Sequence, residues 1–352
     1  MPAARNKGKE DGSPARVTIN HVAEAAGVSI TTVSHALNGK GRISQETRQR
    51  VAGVAAEMGY RPSVLARGLA GGRSGIIGLT FAAIAGQPAS FGAFGFFNDL
   101  LHSATAAALR AGYALVTCPD SEEGVARLAR LGPEGCMVVD PTRSQPMVEY
   151  ARRSSLPLVT VGRVPDGGNE PWVDNDHQEA ARVAIEHLRE QGARRIAIIS
   201  PGPDYSYTSD GIDGYEQVCG DLGLEPVVEY ANGDLAETDG YQATKRLLEG
   251  DEPPDGIYTM LDRLGRGAIM AAESMGVSVP EQLKVVASTD SDVCERAEPT
   301  LTTVDLNPEA IGDAAVRLLG ALINGESGRA DGIDVPVELI VRRSTGGALV
   351  AA

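Results

Sequence analysis

Beyond about residue 73 the chain alternates apolar, β-branched runs with helical stretches, and this alternation leaves few folds open to it. The runs at 76–79, 137–139, 158–161 and 196–199 are apolar at almost every position. Such runs are typical of strands buried on both faces. Strands separated by helices predict parallel sheets covered by helices on both sides. We predict two doubly wound lobes, because a region this long exceeds what one hydrophobic core usually serves.

Charge is distributed unevenly between the start of the chain and the rest. Residues 1–75 contain eleven Lys or Arg and five Asp or Glu, whereas the whole chain has a formal net charge of −15. A basic segment attached to an acidic body suggests that the segment binds a polyanion such as nucleic acid. The alternative is a solvated arm without a partner.

The basic segment contains three short amphipathic helical patterns between residues 17 and 60. Thr18, Ser29 and Ser44 are suited to cap these helices, and Gly27 lies where a tight turn requires a positive φ. The second pattern has an apolar face and an opposite face of short polar or methyl-bearing side chains, which suit a DNA major groove. This pattern predicts a helix-turn-helix, with a purely structural helical hairpin as the alternative. The residues on the second face are Ile30, Thr31, Ser34 and His35.

The segment from residue 17 to 38 resembles the opening of LacI/GalR-type bacterial transcription regulators; it reads VTINHVAEAAGVSITTVSHALN. Similar stretches continue along nearly the whole chain, at 61–69, 75–79, 180–188, 192–197 and 299–304. The resemblance implies an N-terminal all-α helix-turn-helix headpiece and an α/β core like that of periplasmic binding proteins. It also implies a regulator, by default a repressor, that binds a near-palindromic operator on double-stranded DNA as a homodimer. A small molecule between the two lobes of the core would control DNA binding.

The division of the chain follows from composition and from this resemblance. We expect a flexible basic arm at 1–16, a helix-turn-helix headpiece at 17–61 and a hinge helix or linker at 62–72. The effector-binding and dimerisation core is expected at 73–352. Lobe one is expected at about 73–174 and 304–334, and lobe two at about 175–303 and 335–345.

The resemblance also implies which residues contact DNA. Ile30, Thr31 and His35 match positions that read base edges. Leu69 matches a leucine that is wedged into a central minor-groove step, and Ala66 packs beside it. Contacts to phosphates position a headpiece without specifying sequence. The residues implied to hold or approach the DNA backbone are Thr18, Ser29, Thr32, Ser34, Asn38, Arg42 and Thr47.

Three residues of the headpiece and hinge depart from the family pattern. His21 replaces an acid that reinforces the first helix cap, so we expect a weaker cap. His35 replaces an arginine, and a neutral imidazole offers one donor instead of a bidentate fork. Ser63 replaces an asparagine of the hinge. These departures predict an altered operator sequence rather than a loss of DNA binding.

The expected effector site lacks polar groups that many sugar-binding members use. Gly211 stands in place of an arginine, Leu261 in place of an asparagine and Thr289 in place of an aspartate. Because each unmet partner of a buried hydroxyl costs about 1–3 kcal/mol, we expect no simple hexose effector. Aromatic side chains with scattered acids would suit a flatter or cationic molecule. The candidate ligand-binding residues are Phe97, Asp176, His177, Tyr205, Tyr207, Asp262, Thr289 and Asp290.

Each of these residues also has a structural alternative: Phe97 could belong to the core, and Asp176 could cap a helix. A regulator without effector control is a further alternative.

Other classes of protein fit the sequence less well. Motifs for dinucleotide, P-loop, zinc-protease and serine-hydrolase sites are absent, and the five histidines lack zinc-ligand spacing. We therefore expect no enzymatic activity, no cofactor and no metal. A secreted solute-binding protein would share the core, but it would have a leader and no basic helix-turn-helix. Four scattered cysteines and the lack of an apolar leader or of a run of about 18 apolar residues predict a cytoplasmic protein without a membrane partner.

Overall fold

The structure is a computed structural model that separates into two compact units, Met1–Ser74 and Gly75–Ala352. It describes residues 17–37, 41–60, 73–81, 95–165, 167–202, 205–326 and 332–347. The predicted arm at 1–16 and the whole of the predicted hinge at 62–72 lie outside these residues.

The first unit contains three helices, α1 (Ile19–Ala26), α2 (Ile30–Leu37) and α3 (Gln45–Glu57). Gly27 ends α1 with a φ of 64°, the left-handed conformation that the turn requires. The Ser44 side chain caps α3 by accepting a hydrogen bond from the Thr47 backbone N–H. Six buried apolar side chains hold the three helices together, as expected for a helix-turn-helix with a supporting third helix. They are Val22, Ala23, Ala26, Val33, Val51 and Ala55.

Lobe one of the second unit is a six-stranded parallel sheet in the order β11-β5-β4-β3-β1-β2. Its central strands β1, β3 and β4 are buried at every position. The strands are β1 (Ile76–Phe81), β2 (Ala114–Pro119), β3 (Gly135–Val139), β4 (Leu158–Val161), β5 (Trp172–Asn175) and β11 (Ile333–Val335). The helices of this lobe are α4 (Gly95–Arg110), α5 (Glu122–Ala129), α6 (Pro146–Ser154) and α12 (Pro308–Ile323).

Lobe two is a second six-stranded sheet in the order β12-β10-β9-β8-β6-β7, parallel except for the β10–β12 pair. Its strands are β6 (Ile196–Ser200), β7 (Val227–Tyr230), β8 (Gly256–Thr259), β9 (Lys284–Ser288), β10 (Thr302–Asp305) and β12 (Glu338–Ile340). Its helices are α7 (His177–Glu190), α8 (Ser206–Leu222), α9 (Glu237–Leu248), α10 (Asp262–Ser274), α11 (Asp292–Glu295) and a 3-10 turn at Arg343–Thr345. The second unit therefore has the two doubly wound lobes that the sequence predicts.

The chain passes between the lobes three times, after β5, after β10 and after β11. The Asn175 side-chain amide joins these crossovers, because its Nδ2 donates to the Leu306 carbonyl oxygen at 3.0 Å and to the Val335 carbonyl oxygen at 2.8 Å. The expected lobe boundaries at 174/175, 303/304 and 334/335 need correction, since each falls inside a strand. These strands end at Asn175, Asp305 and Val335.

Candidate nucleic-acid interface and ligand cavity

The second helix of the first unit presents its predicted DNA-facing side chains to solvent. Thr31 and His35 are exposed, and Ser34 is half-buried. Ile30 is 49% exposed although it is a large apolar side chain. An exposed apolar side chain among short polar groups suits contact with thymine methyl groups in a major groove.

Three of the residues implied to hold phosphates, Ser29, Thr32 and Thr47, lie at the N-termini of α2 and α3. The Ser29 Oγ accepts a hydrogen bond from the Thr32 backbone N–H at 3.1 Å, and the two hydroxyls lie 2.9 Å apart. Ser44 and Thr47 repeat this arrangement at 3.2 Å and 2.9 Å. Helix N-termini carry unpaired backbone N–H groups and a positive dipole end, so hydroxyls at this place suit a phosphate.

The first helix is capped through a histidine. The Thr18 backbone N–H donates to His21 Nδ1 at 3.2 Å, so the imidazole takes the place of a carboxylate in a reciprocal cap. The sequence did not predict that this ring could serve as the acceptor.

The backbone at Gly41, immediately before Arg42, lies against His35. The Gly41 carbonyl oxygen accepts a hydrogen bond from Arg48 Nη2 at 3.2 Å, which fixes the loop to α3. A Cβ added at Gly41 would lie 2.8 Å from His35 Nδ1, so the loop backbone packs directly against the imidazole. Arg42 follows this glycine and is exposed. Asn38, Ala66 and Leu69 lie outside the described residues.

A cavity of about 60 Å³ lies between the two lobes of the second unit, at the carboxyl ends of parallel strands. Asp140, Gly162 and Asp174 line it from the ends of β3, β4 and β5. Asp262 and Thr289 line it from the ends of β8 and β9. Six of the eight candidate ligand-binding residues line this cavity: Phe97, His177, Tyr205, Tyr207, Asp262 and Thr289.

The other two candidates are not among the residues that line the cavity. Asp176 is exposed and caps α7 by accepting a hydrogen bond from the Glu179 backbone N–H at 2.9 Å. Asp290 forms a bidentate ion pair with Arg342, with N···O distances of 2.7 Å and 2.9 Å.

Aromatic rings form much of the cavity wall. Tyr205 and Tyr207 stack with ring centroids 5.4 Å apart, and the His177 ring lies 5.7 Å from Tyr207. Phe96 and Phe97 meet edge to face at 5.6 Å. These rings give the cavity broad apolar faces.

Three carboxyl groups line the same cavity in different environments. Asp174 accepts a hydrogen bond from the Asn175 backbone N–H at 2.9 Å and pairs with His177 Nε2 at 3.0 Å. Asp262 accepts hydrogen bonds from the Arg263 backbone N–H at 2.7 Å and from the Ser291 hydroxyl at 2.5 Å. Burial raises the pKa of Asp140 to about 7, and the nearby Asp174 carboxylate adds to the rise.

Met260 occupies the space beside Gly211. Gly211 is the position at which the sequence lacks the arginine expected for sugar binding. A Cβ added at Gly211 would collide with the Met260 methyl group. Met260, Phe96, Asp140 and Asp174 line the cavity but were not predicted from the sequence. Asp140 could have been found, because it directly follows an apolar run and such positions lie at the carboxyl end of a strand.

The described residues offer neither a membrane span nor a metal centre. No helix among them is long and apolar enough to cross a membrane. Nor do they contain a group of three or more His, Cys, Asp or Glu side chains placed to hold a metal ion.

Two family models match the chain. Residues 18–63 match the model of bacterial regulatory proteins of the lacI family, and residues 185–345 match a periplasmic binding protein-like domain. The chain is 31% identical to the ribose operon repressor of Halalkalibacterium halodurans, over 94% of this chain and 97% of that protein. It is 27% identical to catabolite control protein A of Priestia megaterium, over 94% and 99%.

Solved structures show the same fold. A complex of the transcriptional regulator CelR with cellobiose has a TM-score of 0.71 and 29% identity, with coverage of 94% of this chain and 100% of that chain. The lac repressor dimer bound to operator and the anti-inducer ONPF has a TM-score of 0.81 and 24% identity, with coverage of 94% and 99%.

Proposed function

Since this chain belongs to the LacI family of bacterial regulatory proteins, we propose that it represses transcription by binding a near-palindromic operator as a dimer. Its named relatives are transcription regulators rather than enzymes. One headpiece offers too few contacts for typical specific affinity, and two-fold symmetry pairs two headpieces with two half-sites. A regulator of this kind acts in the cytoplasm, where bacterial DNA lies.

The observation that carries the proposal is the exposed face of α2. Ile30, Thr31 and His35 are all exposed there, and the Gly41 loop backbone packs against the His35 ring. We assign base reading to these three side chains. Backbone contacts are assigned to the residues around the starts of the three helices and in the following loops: Thr18, Ser29, Thr32, Ser34, Asn38, Arg42 and Thr47.

The remaining assignments follow the family pattern. The headpiece spans 17–61, the hinge 62–72 and the core 73–352. Leu69 and Ala66 enter the minor groove at the centre of the operator, where an apolar wedge unstacks one base step.

A small molecule in the cavity between the lobes controls operator affinity. Linkage requires that this effector bind the two lobe arrangements with different affinity. One relative is named a ribose operon repressor, and the CelR structure is a complex with cellobiose. In this chain the Met260 methyl against Gly211 argues against a simple hexose.

In vitro selection of bound duplex DNA tests the proposal. The wild-type full chain should enrich one near-palindromic site, and His35→Ala should change the preferred base pair at one position in each half-site. Enrichment of no site by the wild type would overturn the proposal, and identical sites for both proteins would remove His35 from base reading.

Arg42→Ala is the matched variant for a backbone contact. It should weaken binding to all sequences alike, and it should reduce the slope of log affinity against log salt by about 1 for each phosphate that Arg42 neutralises. Arg296→Ala is the control, because Arg296 is an exposed base of the core that pairs with Asp292 at 3.0 Å. An unchanged salt slope for Arg42→Ala would exclude the phosphate contact.

A further inference from the structure

The cavity between the lobes has a lining of one charge sign. Among the described residues that line it, none is Lys or Arg, whereas Asp140, Asp174 and Asp262 each contribute a carboxyl group. An anionic ligand would be buried beside three carboxyls without a basic partner, and repulsion would oppose its binding. The described part of the lining therefore disfavours phosphates and carboxylates as ligands.

The three carboxyls differ in how many of their oxygen atoms accept hydrogen bonds. Asp262 accepts from a backbone N–H and from the Ser291 hydroxyl. Asp174 pairs with His177 and lies 3.5 Å from Arg163 Nε. Both oxygens of Asp262 are therefore hydrogen-bonded, whereas the buried Oδ2 of Asp174 has no hydrogen-bond partner within the described part of the chain.

Asp140 is the third carboxyl of the lining. Within the described part of the chain its carboxyl has no hydrogen-bond or ion-pair partner, although it lines the cavity at the end of β3. Its Oδ1 lies 3.4 Å from the position of a Cβ added at Gly162, so a larger residue at 162 would press on this carboxyl. The half-buried carboxyl of Asp140 and the buried Oδ2 of Asp174 can therefore both accept hydrogen bonds from a ligand that donates them.

The walls beside these carboxyls favour a cation with an apolar body. Tyr205 and Tyr207 form a stacked pair, and Phe96 and Phe97 form an edge-to-face pair. The faces of aromatic rings carry negative electrostatic potential and attract ammonium groups that have left water. The carboxyl groups and the aromatic rings of the cavity therefore favour the same class of ligand, an organic cation.

We propose that this cavity binds a small organic ammonium ion whose N–H groups donate to Asp140 and whose apolar part packs against the aromatic side chains. The inference rests on the proposed function, because it names the class of effector for the same regulator. In this lobe arrangement the cavity has a volume of about 60 Å³, so a compact amine is a suitable probe.

The pH dependence of binding distinguishes an ammonium from a neutral acceptor. The groups that face Asp140 are Asp174 on β5, His177 on α7 and Tyr207 on α8. Because the pKa of Asp140 is raised to about 7, its carboxyl becomes ionised as pH rises through that value. An ammonium ion should therefore bind more tightly at pH 8 than at pH 6. A neutral ligand that accepts a hydrogen bond from the protonated carboxyl would show the opposite trend.

Three probes of matched shape test the proposal on the full chain: isobutylamine, isobutanol and isobutyrate, which are cationic, neutral and anionic. At pH 8, calorimetric titration should give an affinity for the amine at least about tenfold above that for the alcohol, equivalent to about 1.4 kcal/mol. Isobutyrate should not bind. Equal or tighter binding of the alcohol or the carboxylate, or no binding of the amine at tens of millimolar, would overturn the proposal.

Asp140→Asn removes the charge and keeps the shape of the side chain. It should abolish both the preference for the amine and the rise of amine affinity with pH. Asp213→Asn is the matched control, since Asp213 is exposed on α8, and it should keep both. An amine preference that survives in Asp140→Asn would contradict the assignment to this residue.

Operator binding in the same samples separates this inference from the proposed function. A protein that binds a selected operator but shows no amine preference would leave the regulator intact and remove only the ammonium ligand. Amine binding by a protein that recognises no duplex would remove the regulator and keep the ligand class.

Discussion

At residue 21 a histidine performs the task that a carboxylate performs in a usual reciprocal cap. The Thr18 backbone N–H donates to His21 Nδ1 at 3.2 Å. A carboxylate would accept the same bond with the help of its charge and would also face the positive end of the helix dipole. His21 thus completes the reciprocal cap with Thr18. We expect its imidazole to stabilise the cap less than a carboxylate would.

His21→Asp should therefore stabilise α1 by about 0.3–1 kcal/mol. Amide hydrogen exchange of α1 in the full chain measures this change. Asn20→Asp is the control, because it adds the same charge one residue earlier without the reciprocal bond. Equal protection in the two variants would show that the bond to Thr18 contributes nothing beyond charge.

The half-buried carboxyl of Asp140 makes the stability of the fold depend on pH. Its folded-state pKa of about 7 exceeds the ordinary value of 3.8, so the folded state binds a proton more tightly than the unfolded state. Folding is consequently favoured below about pH 4 and loses stability as pH rises from there to about 7. The cost at high pH arises from the ionised carboxylate in a site withdrawn from water.

Asp140→Asn should raise the free energy of unfolding at pH 8 by about 1–4 kcal/mol, since one pKa unit corresponds to roughly 1.4 kcal/mol. The gain should shrink to about zero near pH 4. Urea unfolding of both proteins at pH 4, 6 and 8 provides the measurement, with Asp213→Asn as the surface control. A gain that is independent of pH would exclude titration of Asp140 as its cause.

At the scale of elements, two helices of lobe two pack through glycines. A Cβ added at Gly267 of α10 would collide with the Glu237 carbonyl oxygen of α9 and lie 2.7 Å from the Tyr241 backbone nitrogen. A Cβ added at Gly240 of α9 would collide with the Leu264 carbonyl oxygen. Because backbone atoms form both obstacles, the helices can accommodate a side chain only by moving apart.

Gly267→Ala should consequently destabilise the core by about 2 kcal/mol or more. Gly220→Ala is the matched control, because Gly220 also lies in a helix but has no atom within 4 Å of an added Cβ. The control should gain roughly 0.4–1 kcal/mol from the reduced freedom of the unfolded chain. Thermal unfolding of the two variants compares them, and equal melting temperatures would contradict the close helix packing.

The sequence predicted the fully buried strand β4 with its observed bounds, whereas it left the edge strands β7 and β11 unpredicted. β4 is buried at every residue, and its bounds equal those of the apolar run at 158–161. β7 is half-buried or exposed throughout, and β11 has three residues of which two are exposed. Short edge strands of this kind carry no continuous apolar run, so their pairing follows from the sheet rather than from local pattern.

The candidate site shows the same division between local and long-range information. Helix caps such as Ser29 and Ser44 depend on neighbours three residues away, and the sequence identifies them. Asp140 and Asp174 became visible as a pair only once the strand order placed β3, β4 and β5 side by side. The bond that occupies Asp290 comes from Arg342, 52 residues further along the chain.

At the scale of the whole molecule, the three crossovers between the lobes share one side chain. Asn175 lies at the first crossover and donates to carbonyl oxygens at the second and third, from residues 131 and 160 positions away. Any movement of one lobe relative to the other must either keep or break these two hydrogen bonds of Asn175. The cavity lies between the same lobes, so a ligand there can favour one lobe arrangement over another.

Because a ligand in the cavity can favour one lobe arrangement, the cavity lining also predicts how simple sugars affect operator binding. A simple sugar needs a partner for nearly every hydroxyl, and a buried hydroxyl without one costs about 1–3 kcal/mol. Here the Met260 methyl fills the space beside Gly211, and Leu261 and Thr289 replace two further polar anchors. Several unpaired hydroxyls together lower the affinity for a sugar by several orders of magnitude.

Ribose, galactose and glucose at millimolar concentration should therefore leave operator affinity unchanged. Fluorescence anisotropy with a selected operator and the full chain measures the effect, with mannitol at the same concentration as the control for general solute effects. The comparison with ribose is the most demanding one, because a relative that is 31% identical over 94% of this chain carries the name ribose operon repressor. If ribose alone changed operator affinity, the cavity would have to offer hydrogen-bond partners for sugar hydroxyls that this lobe arrangement does not show. The argument from Met260 would then fail. A change with none of the three would leave effector control to a ligand that the carboxyls and rings of the cavity recognise.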